Sequence, residues 1–276
     1  MTGLERRQEA LDGILREMGR VVVAFSSGVD STLVLQRAIQ VLGVERVLAV
    51  TTASPAVPEH EVAAARELAE AMGVAHRVIE SHEMERPEYV ANAGDRCYHC
   101  RTEMYTLIGE VARADLGEGV VIDGANVDDE GDYRPGMQAA RELGVRSPYR
   151  EARITKAEIR AMAQAAGLPN WSKPAFPCLA SRIPAGSEVT VEKLSQVDRA
   201  EIALRTLGFV DVRVRHHDET ARIELPLKEI ARIMEPGVRE RVIEVLKGAG
   251  FRYIALDLEG YRTGSVNPLP AKENAE

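Results

Sequence analysis

The 276-residue chain has no stretch near the roughly 18 consecutive apolar residues of a membrane span, which argues against a transmembrane helix. A signal peptide is not expected either. The N-terminal run "MTGLERRQEALDGILREMGR" is charged along its length and reads as an amphipathic helix without an export-type apolar core. Positive charge is not in excess. With 35 Lys+Arg against 43 Asp+Glu, the net charge of −8 leaves no overall field for RNA or DNA. Cysteine is scarce, limited to Cys97, Cys100 and Cys178. The expected location is the reducing cytoplasm, where a structural disulfide is not expected and a metal or catalytic role for thiols is. No internal repeat is evident. The 45% hydrophobic content is normal for a globular protein, and the length suits one large domain or two modest ones.

What is present is an alternation of strand and helix patterns. "RVVVAF" (20–25) leads to a helix ending near Leu42, then "RVLAVTT" (46–52), a helix over 58–73 and "AHRVIES" (75–81). A helical stretch near 101–114 precedes "GVVIDGAN" (119–126), and 156–171 reads as one more helix with a glycine stop. Such alternation predicts βαβ units and a mainly parallel α/β sheet, with ligands at the carboxyl ends of the strands. The segment 172–187, "SKPAFPCLASRIPAGS", is rich in proline and small residues and reads as a linker or ordered loop. Beyond it come a helix (190–207), two strands (211–217 and 220–226) forming a hairpin, a helix (228–249) and a strand (252–258). The expected organisation is an α/β domain over 1–171, the 172–187 loop, a smaller α+β domain over 188–267, and a disordered tail over 268–276.

The junction after the first strand carries the first chemical signal. "VVVAF" (21–25) is β-branched and continuous, as a strand covered on both faces requires, and it stops at "SSGVDS" (26–31). Asp30 and Ser31 are good helix starters, and Leu33, Val34, Ala38 and Val41 follow a helical period. Amides at such a helix N-terminus suit a phosphate; Gly28 permits close approach, and Ser26, Ser27 and Ser31 offer hydroxyls. An ordinary βα turn has the same local pattern.

"SSGVDS" resembles the pyrophosphate-binding loop of the PP-loop ATP pyrophosphatase superfamily, usually Ser-Gly-Gly-x-Asp-Ser after the first strand. Ser27 stands where a glycine is usual. The resemblance implies ATP held by Ser26, Ser27, Gly28, Val29, Asp30 and Ser31, with Asp30 helping to hold Mg²⁺ against the phosphates. "DGANVDDEGDYRPG", "PCLASRIPAG", "ALRTLGF", "VRVRHHDETARIELP" and "YIALDLEGYRTGS" extend the similarity from about Glu9 to Asn267. Together they resemble the LarE family of sulfur transferases, which serve nickel-pincer nucleotide and lactate racemase cofactor biosynthesis. The resemblance implies adenylation of the carboxylates of a pyridinium-3,5-dicarboxylate mononucleotide and their conversion to thiocarboxylates.

By its spacing alone, "CYHC" (97–100) reads as a zinc half-site or a redox pair. Zinc would need a fourth ligand, and His99 sits awkwardly between the thiols. A redox pair more usually opens a helix beside a thioredoxin-like strand pattern, which is missing here. Three thiolates without a fourth can instead hold a [4Fe–4S] cluster with one iron open. One branch of the resembled family sacrifices the sulfur of a single cysteine at the place of Cys178. The other adds a Cys-x-x-Cys and uses a three-cysteine cluster whose open iron carries exogenous sulfide. This chain has the second pattern, which implies Cys97, Cys100 and Cys178 as cluster ligands.

The same resemblance implies a substrate-phosphate clamp for Arg213 and Arg215, which project to one face of a strand; by themselves they read as a solvated face. Ser181 and Arg182 can touch substrate or stabilise their loop. Glu201 matches a family carboxylate near the site but alone reads as a surface residue. Asn126, Asp129, Asp132 and Arg134 lie in a loop suited to a nucleotide edge or a metal, whereas His216 and His217 read as strand-end residues and Trp171 as packing. The expected partners are a nucleotide substrate, sulfide or another sulfur donor, and copies of the same chain in a homo-oligomer, with neither nucleic acid nor membrane. A tRNA thiolase also combines a PP-loop with three cysteines, but the charge and the absence of further cysteine pairs count against it. The rival of another class is an ATP-binding regulator without chemistry, for which three cysteines would have no purpose.

Overall fold

The computed structural model describes residues 2–117, 119–130, 135–174 and 176–261, and the elements below are those of the described residues. They form two compact units. The first takes the described residues up to Val90 and from Gly94 to Phe176; the second takes Ala91–Ala93 and those from Pro177 onward. The boundary falls inside the 172–187 segment. Asp132, Arg134 and the 268–276 tail lie outside the described residues.

In the first unit, α1 (Gly3–Met18), β1 (Val21–Ala24), α2 (Val29–Leu42), β2 (Val47–Ala53), α3 (Glu59–Ala71) and β3 (Ala75–Glu80) come in order. The short α4 (Pro87–Val90), then α5 (Arg96–Leu116), β4 (Val120–Ile122), α6 (Pro135–Glu142), α7 (Pro148–Glu151) and α8 (Lys156–Ala165) follow. All strand pairs are parallel, in the order β3-β2-β1-β4. This is the α/β parallel sheet that the alternation predicts. Alternate residues of β1 face opposite layers. Val21 and Val23 pack with Leu11, Leu15 and Leu33 of α1 and α2, while Val22 packs with Tyr105, Ile108 and Ala112 of α5. Double burial explains the unbroken β-branched run. The edge strand β3 is not fully buried anywhere along its length.

Two helix boundaries differ from expectation. α5 starts at Arg96, not near 101, so Cys97 and Cys100 lie at its N-terminal end. α8 begins at a Thr155–Glu158 capping box and ends at Ala165 rather than near 171. Gly167 turns to φ +70° just beyond, and Pro169 cannot extend the helix.

The second unit contains α9 (Val191–Thr206), β5 (Arg213–His217), β6 (Thr220–Glu224), α10 (Leu227–Ile233), α11 (Val238–Gly248) and β7 (Tyr253–Leu256). β5 and β6 form the expected antiparallel hairpin, turning at Asp218 (φ +51°), and β7 joins β6 in parallel. Leu204, Phe209, Val214, Ile223, Leu246 and Phe251 centre its core. The single helix expected over 228–249 is two, because Pro236 and Gly237 (φ +81°) break it. This is a small α+β unit.

Ala91–Ala93 joins this second unit through Asn92. The Asn92 side-chain amide donates to the carbonyls of Pro184 (2.8 Å) and Ser187 (2.9 Å), and the Asn92 backbone carbonyl accepts from the Gly186 amide (2.9 Å). Its backbone is left-handed (φ +52°) and the residue is buried. Asn92→Ala should therefore destabilise the protein by about 1–3 kcal/mol, since it removes two part-buried hydrogen bonds and leaves a side chain without the local bonding that offsets a left-handed backbone. Thermal melting checks this; Asn92→Gly should recover only the backbone share, and an unchanged midpoint in Asn92→Ala would contradict the assignment.

Candidate functional site

β1 delivers the chain to the carboxyl edge of the sheet, where Ser26–Gly28 lead directly into α2. The residue that turns left-handed is Ser27 (φ +55°), whereas Gly28, the N-cap, is extended (φ −73°). The loop is braced internally. Ser31 Oγ donates to the Gly28 carbonyl (3.1 Å) and accepts from the Ser26 amide (3.2 Å), and the Ser26 and Ser31 hydroxyls lie 3.2 Å apart. The Val29, Asp30 and Ser31 amides in the first turn of α2 have no acceptor within the helix, an arrangement that suits an anion.

The Ser27 hydroxyl is not aimed at that anion, contrary to expectation. It is fully buried and donates to Glu61 Oε2 of α3 at 2.8 Å. Lys173 Nζ reaches the same carboxylate oxygen (2.6 Å) and Ser27 Oγ (3.2 Å). Asn170 Nδ2 donates to the Ser27 carbonyl (2.9 Å) and to Thr32 Oγ1 (2.8 Å). Asp30, in the first turn of α2, pairs through Oδ2 with Lys156 Nζ. Its other oxygen, Oδ1, is buried without a hydrogen-bond partner among the described residues. A buried, unsatisfied carboxylate oxygen beside outward amides fits one ligand position of a Mg²⁺ that also binds phosphate oxygens. The Tyr149 hydroxyl donates to the Asp30 carbonyl (3.1 Å); burial first, then the Asp30 charge, raises its pKa well above the usual phenol value, so it remains a donor.

The β4 loop closes against the same turn. A Cβ at Gly124 would lie 2.9 Å from the Asp30 Cβ and 3.0 Å from the Ser31 amide, so only glycine permits the approach. Asn126 and Asp129, expected at a nucleotide edge or metal, cap their own short turn. Asn126 Oδ1 accepts from the Asp128 amide (3.0 Å), and Asp129 Oδ2 from the Asn126 amide (2.9 Å). Glu61, Asn170, Lys156 and Lys173 were not evident from the sequence, because each reaches the loop from a distant segment with no local motif.

Cys97 and Cys100 are one helical turn apart at the start of α5, so their thiols share a helix face. Neither they nor Cys178 form a disulfide; Cys97 is exposed and the others are half-buried. The pair therefore opens a helix after all, but beside an all-parallel sheet. Cys97 and Cys100 belong to the first unit and Cys178 to the second; thiolates of this kind are the donors an iron–sulfur cluster takes. No preformed group of metal-ligating side chains is found among the described residues.

In the second unit Cys178 precedes a short 3₁₀ turn, Leu179–Arg182, that is organised by a buried ion pair. Arg182 and Glu201 are both fully buried and bonded in parallel, Nε to Oε1 at 2.9 Å and Nη2 to Oε2 at 3.0 Å. Glu201 is thus not a surface residue. It also accepts from Arg205 (2.7 Å) and the Val214 amide (3.0 Å). Burial pushes its carboxyl up, but the charge and bonds of Arg182, with the Val214 amide and Arg205, outweigh this and hold its pKa below the usual carboxylate range. Arg182 Nη1 donates to the carbonyls of Pro177 (2.6 Å) and Cys178 (3.2 Å) and to Ser181 Oγ (3.0 Å). Both residues thus hold the Cys178 turn, the loop-stabilising alternative for Arg182.

Arg213 and Arg215 share one face of β5, and that face is buried rather than solvated. Arg215 donates to Glu224 (2.7 Å) and to the Ser181 carbonyl (2.9 Å); Arg213 lies over the Tyr261 ring at 4.9 Å. Burial, then the nearby Arg182 charge, lowers the Arg213 pKa. His216 is buried with Nε2 at 3.1 Å from Gln196 Oε1, a packing role for a strand residue.

Comparison with known proteins places this geometry. The NAD synthase family model matches residues 4–96, which contain the loop and the first βαβ units. An uncharacterized protein of Synechocystis sp. is 45% identical over 98% of this chain and 100% of its own length. The pyridinium-3,5-bisthiocarboxylic acid mononucleotide synthase of Lactiplantibacillus plantarum is 40% identical over 99% of this chain and 98% of its own. An uncharacterized protein of Methanocaldococcus jannaschii is 26% identical over 88% of this chain and 91% of its own. With a β1 loop of PP-loop type and similarity to the synthase over nearly the whole length of both, the chain belongs to the LarE family of ATP-using sulfur transferases.

Proposed function

We propose that this chain uses ATP to activate a carboxylate of pyridinium-3,5-dicarboxylate mononucleotide and converts it to a thiocarboxylate. The observation that carries the reading is the 40% identity, over 98% of its length, to a synthase named for the bisthiocarboxylic product. In the first step a substrate carboxylate oxygen attacks the α-phosphorus, the bond to pyrophosphate breaks, and an acyl-adenylate forms. In the second, a sulfide nucleophile attacks the acyl carbon and AMP departs with the original oxygen. The α2 amides cradle the leaving pyrophosphate, and Asp30 Oδ1 supplies a carboxylate ligand to Mg²⁺ there. Lys156 holds the other Asp30 oxygen and keeps the carboxylate oriented.

Cys97, Cys100 and Cys178 would hold a [4Fe–4S] cluster. Such a cluster would supply a site for binding exogenous sulfide, and the three cysteines would be its protein ligands. Arg182 and Glu201 act as positioning residues for the Cys178 turn, and Ser181 is the polar side chain of that turn nearest in sequence to Cys178 for substrate contact. Arg213 and Arg215 are assigned to the substrate phosphate; guanidinium forks suit a dianion, and one would offset their mutual repulsion. The chain is assigned to the cytoplasm and to a homo-oligomer on the same reading.

Pyrophosphate release dependent on the dicarboxylate mononucleotide tests the function directly. Asp30→Ala should cut that release by about 100-fold or more while the melting midpoint stays near that of the unaltered chain. Undiminished release would remove Asp30 from the step, and release that is indifferent to the nucleotide would remove the proposed substrate.

The arginine assignment is tested by steady-state kinetics. Arg213→Ala should raise KM for the mononucleotide at least tenfold with KM for ATP changed less than about twofold, because a phosphate contact made equally in ground and transition states appears in KM. Arg215→Ala should do the same and also lower the melting midpoint, since it leaves the buried Glu224 short of a partner. A selective loss of ATP affinity would assign these residues to the other ligand.

A further inference from the structure

Ser27 poses a conformational problem in the phosphate loop. Its φ of +55° is left-handed, a region that costs an L residue energy and that glycine enters freely, yet the side chain is fully buried. A residue persists there only when its surroundings over-determine it. The surroundings are specific. The Ser27 hydroxyl carries one proton, and at 2.8 Å it goes to Glu61 Oε2, a charge-assisted bond stronger than one between neutral groups. Lys173 donates to a Ser27 Oγ lone pair and to the same Glu61 oxygen, while Asn170 fixes the Ser27 carbonyl. The carboxylate comes from α3, across the loop from the helix that Ser27 precedes.

We infer that Glu61 is a positioning residue for the loop: it latches Ser27 in the left-handed conformation that turns the α2 amides toward the phosphates. Lys173 completes the device. A bare carboxylate beside a phosphate loop would repel the triphosphate, and the ammonium at 2.6 Å offsets that charge while leaving the latch closed. The chain thus places a serine at a position with glycine's backbone requirement and holds it by a bond from another element.

The test is a double-mutant cycle between Ser27→Gly and Glu61→Ala in the full chain, read by MgATP affinity and by thermal melting without ligand. With Ser27 present, Glu61→Ala should weaken MgATP binding about tenfold; with Ser27→Gly, the same substitution should change it less than about twofold, because glycine holds the turn unaided. The ligand-free midpoint should show the same coupling, with Ser27→Gly recovering about 3 °C of the Glu61→Ala loss. Glu61→Gln, which keeps an acceptor, should fall between. Equal penalties in the two backgrounds, in affinity and in melting, would overturn the latch. The affinity readout rests on the ATP reading of the loop. An unaltered chain that binds no MgATP would overturn that reading, and the melting cycle would then decide the latch by itself.

Discussion

At the carboxyl edge of a parallel sheet, the central strand must turn into a helix within a few residues and leave that helix's amides open. Here Phe25 to Gly28 make the turn, and Ser27 has to be left-handed for it to close. The surrounding elements converge on this requirement. α3 contributes Glu61, the segment after α8 contributes Asn170 and Lys173, and Tyr149 and Lys156 hold Asp30 by its carbonyl and its carboxylate. β4 brings Gly124 against the Asp30–Ser31 backbone. The order β3-β2-β1-β4 makes this convergence possible, because β1 lies between the strands whose following segments flank its loop.

The second unit solves a related problem with charge. The Arg182–Glu201 pair is fully buried, and desolvating two ions is costly enough that apolar residues of similar volume often do as well for stability. What an apolar pair could not do is supply three further donor contacts to Pro177, Cys178 and Ser181. The pair is therefore better understood as a device for placing the Cys178 turn than as a source of folding energy. Arg215 adds to it by donating to the Ser181 carbonyl from β5.

Much of the fold was legible because it depends on local pattern. The β-branched run of β1 and the hairpin each act within a few residues. The boundaries that were missed have local causes that compete with periodicity: Pro236 and Gly237 split a continuous apolar pattern, and Gly167 stops α8 early. The start of α5 was obscured because "RCYHC" has no apolar stripe to announce it. Candidate site residues stood out where one segment carries them, as in the loop and the cysteine pair. They did not where the partner is remote. The Ser27 hydroxyl was assigned to an anion because Glu61, 34 residues on, could not be seen to compete for it. Glu201 and the two β5 arginines resembled surface groups because the groups that accompany them into the interior, such as Arg182 for Glu201 and Glu224 for Arg215, lie on other elements.

If the proposed cluster carries the sulfur, this chain delivers sulfide from outside rather than consuming its own cysteine. The measurement that bears on it most directly is product per chain with isotope-labelled sulfide, after anaerobic reconstitution with iron, together with the mass of the Cys178 peptide. The expected result is about four irons per chain, many labelled thiocarboxylates for each chain, and a Cys178 peptide of unchanged mass. A single unlabelled turnover, with that peptide about 34 Da lighter as loss of H₂S to dehydroalanine requires, would contradict it.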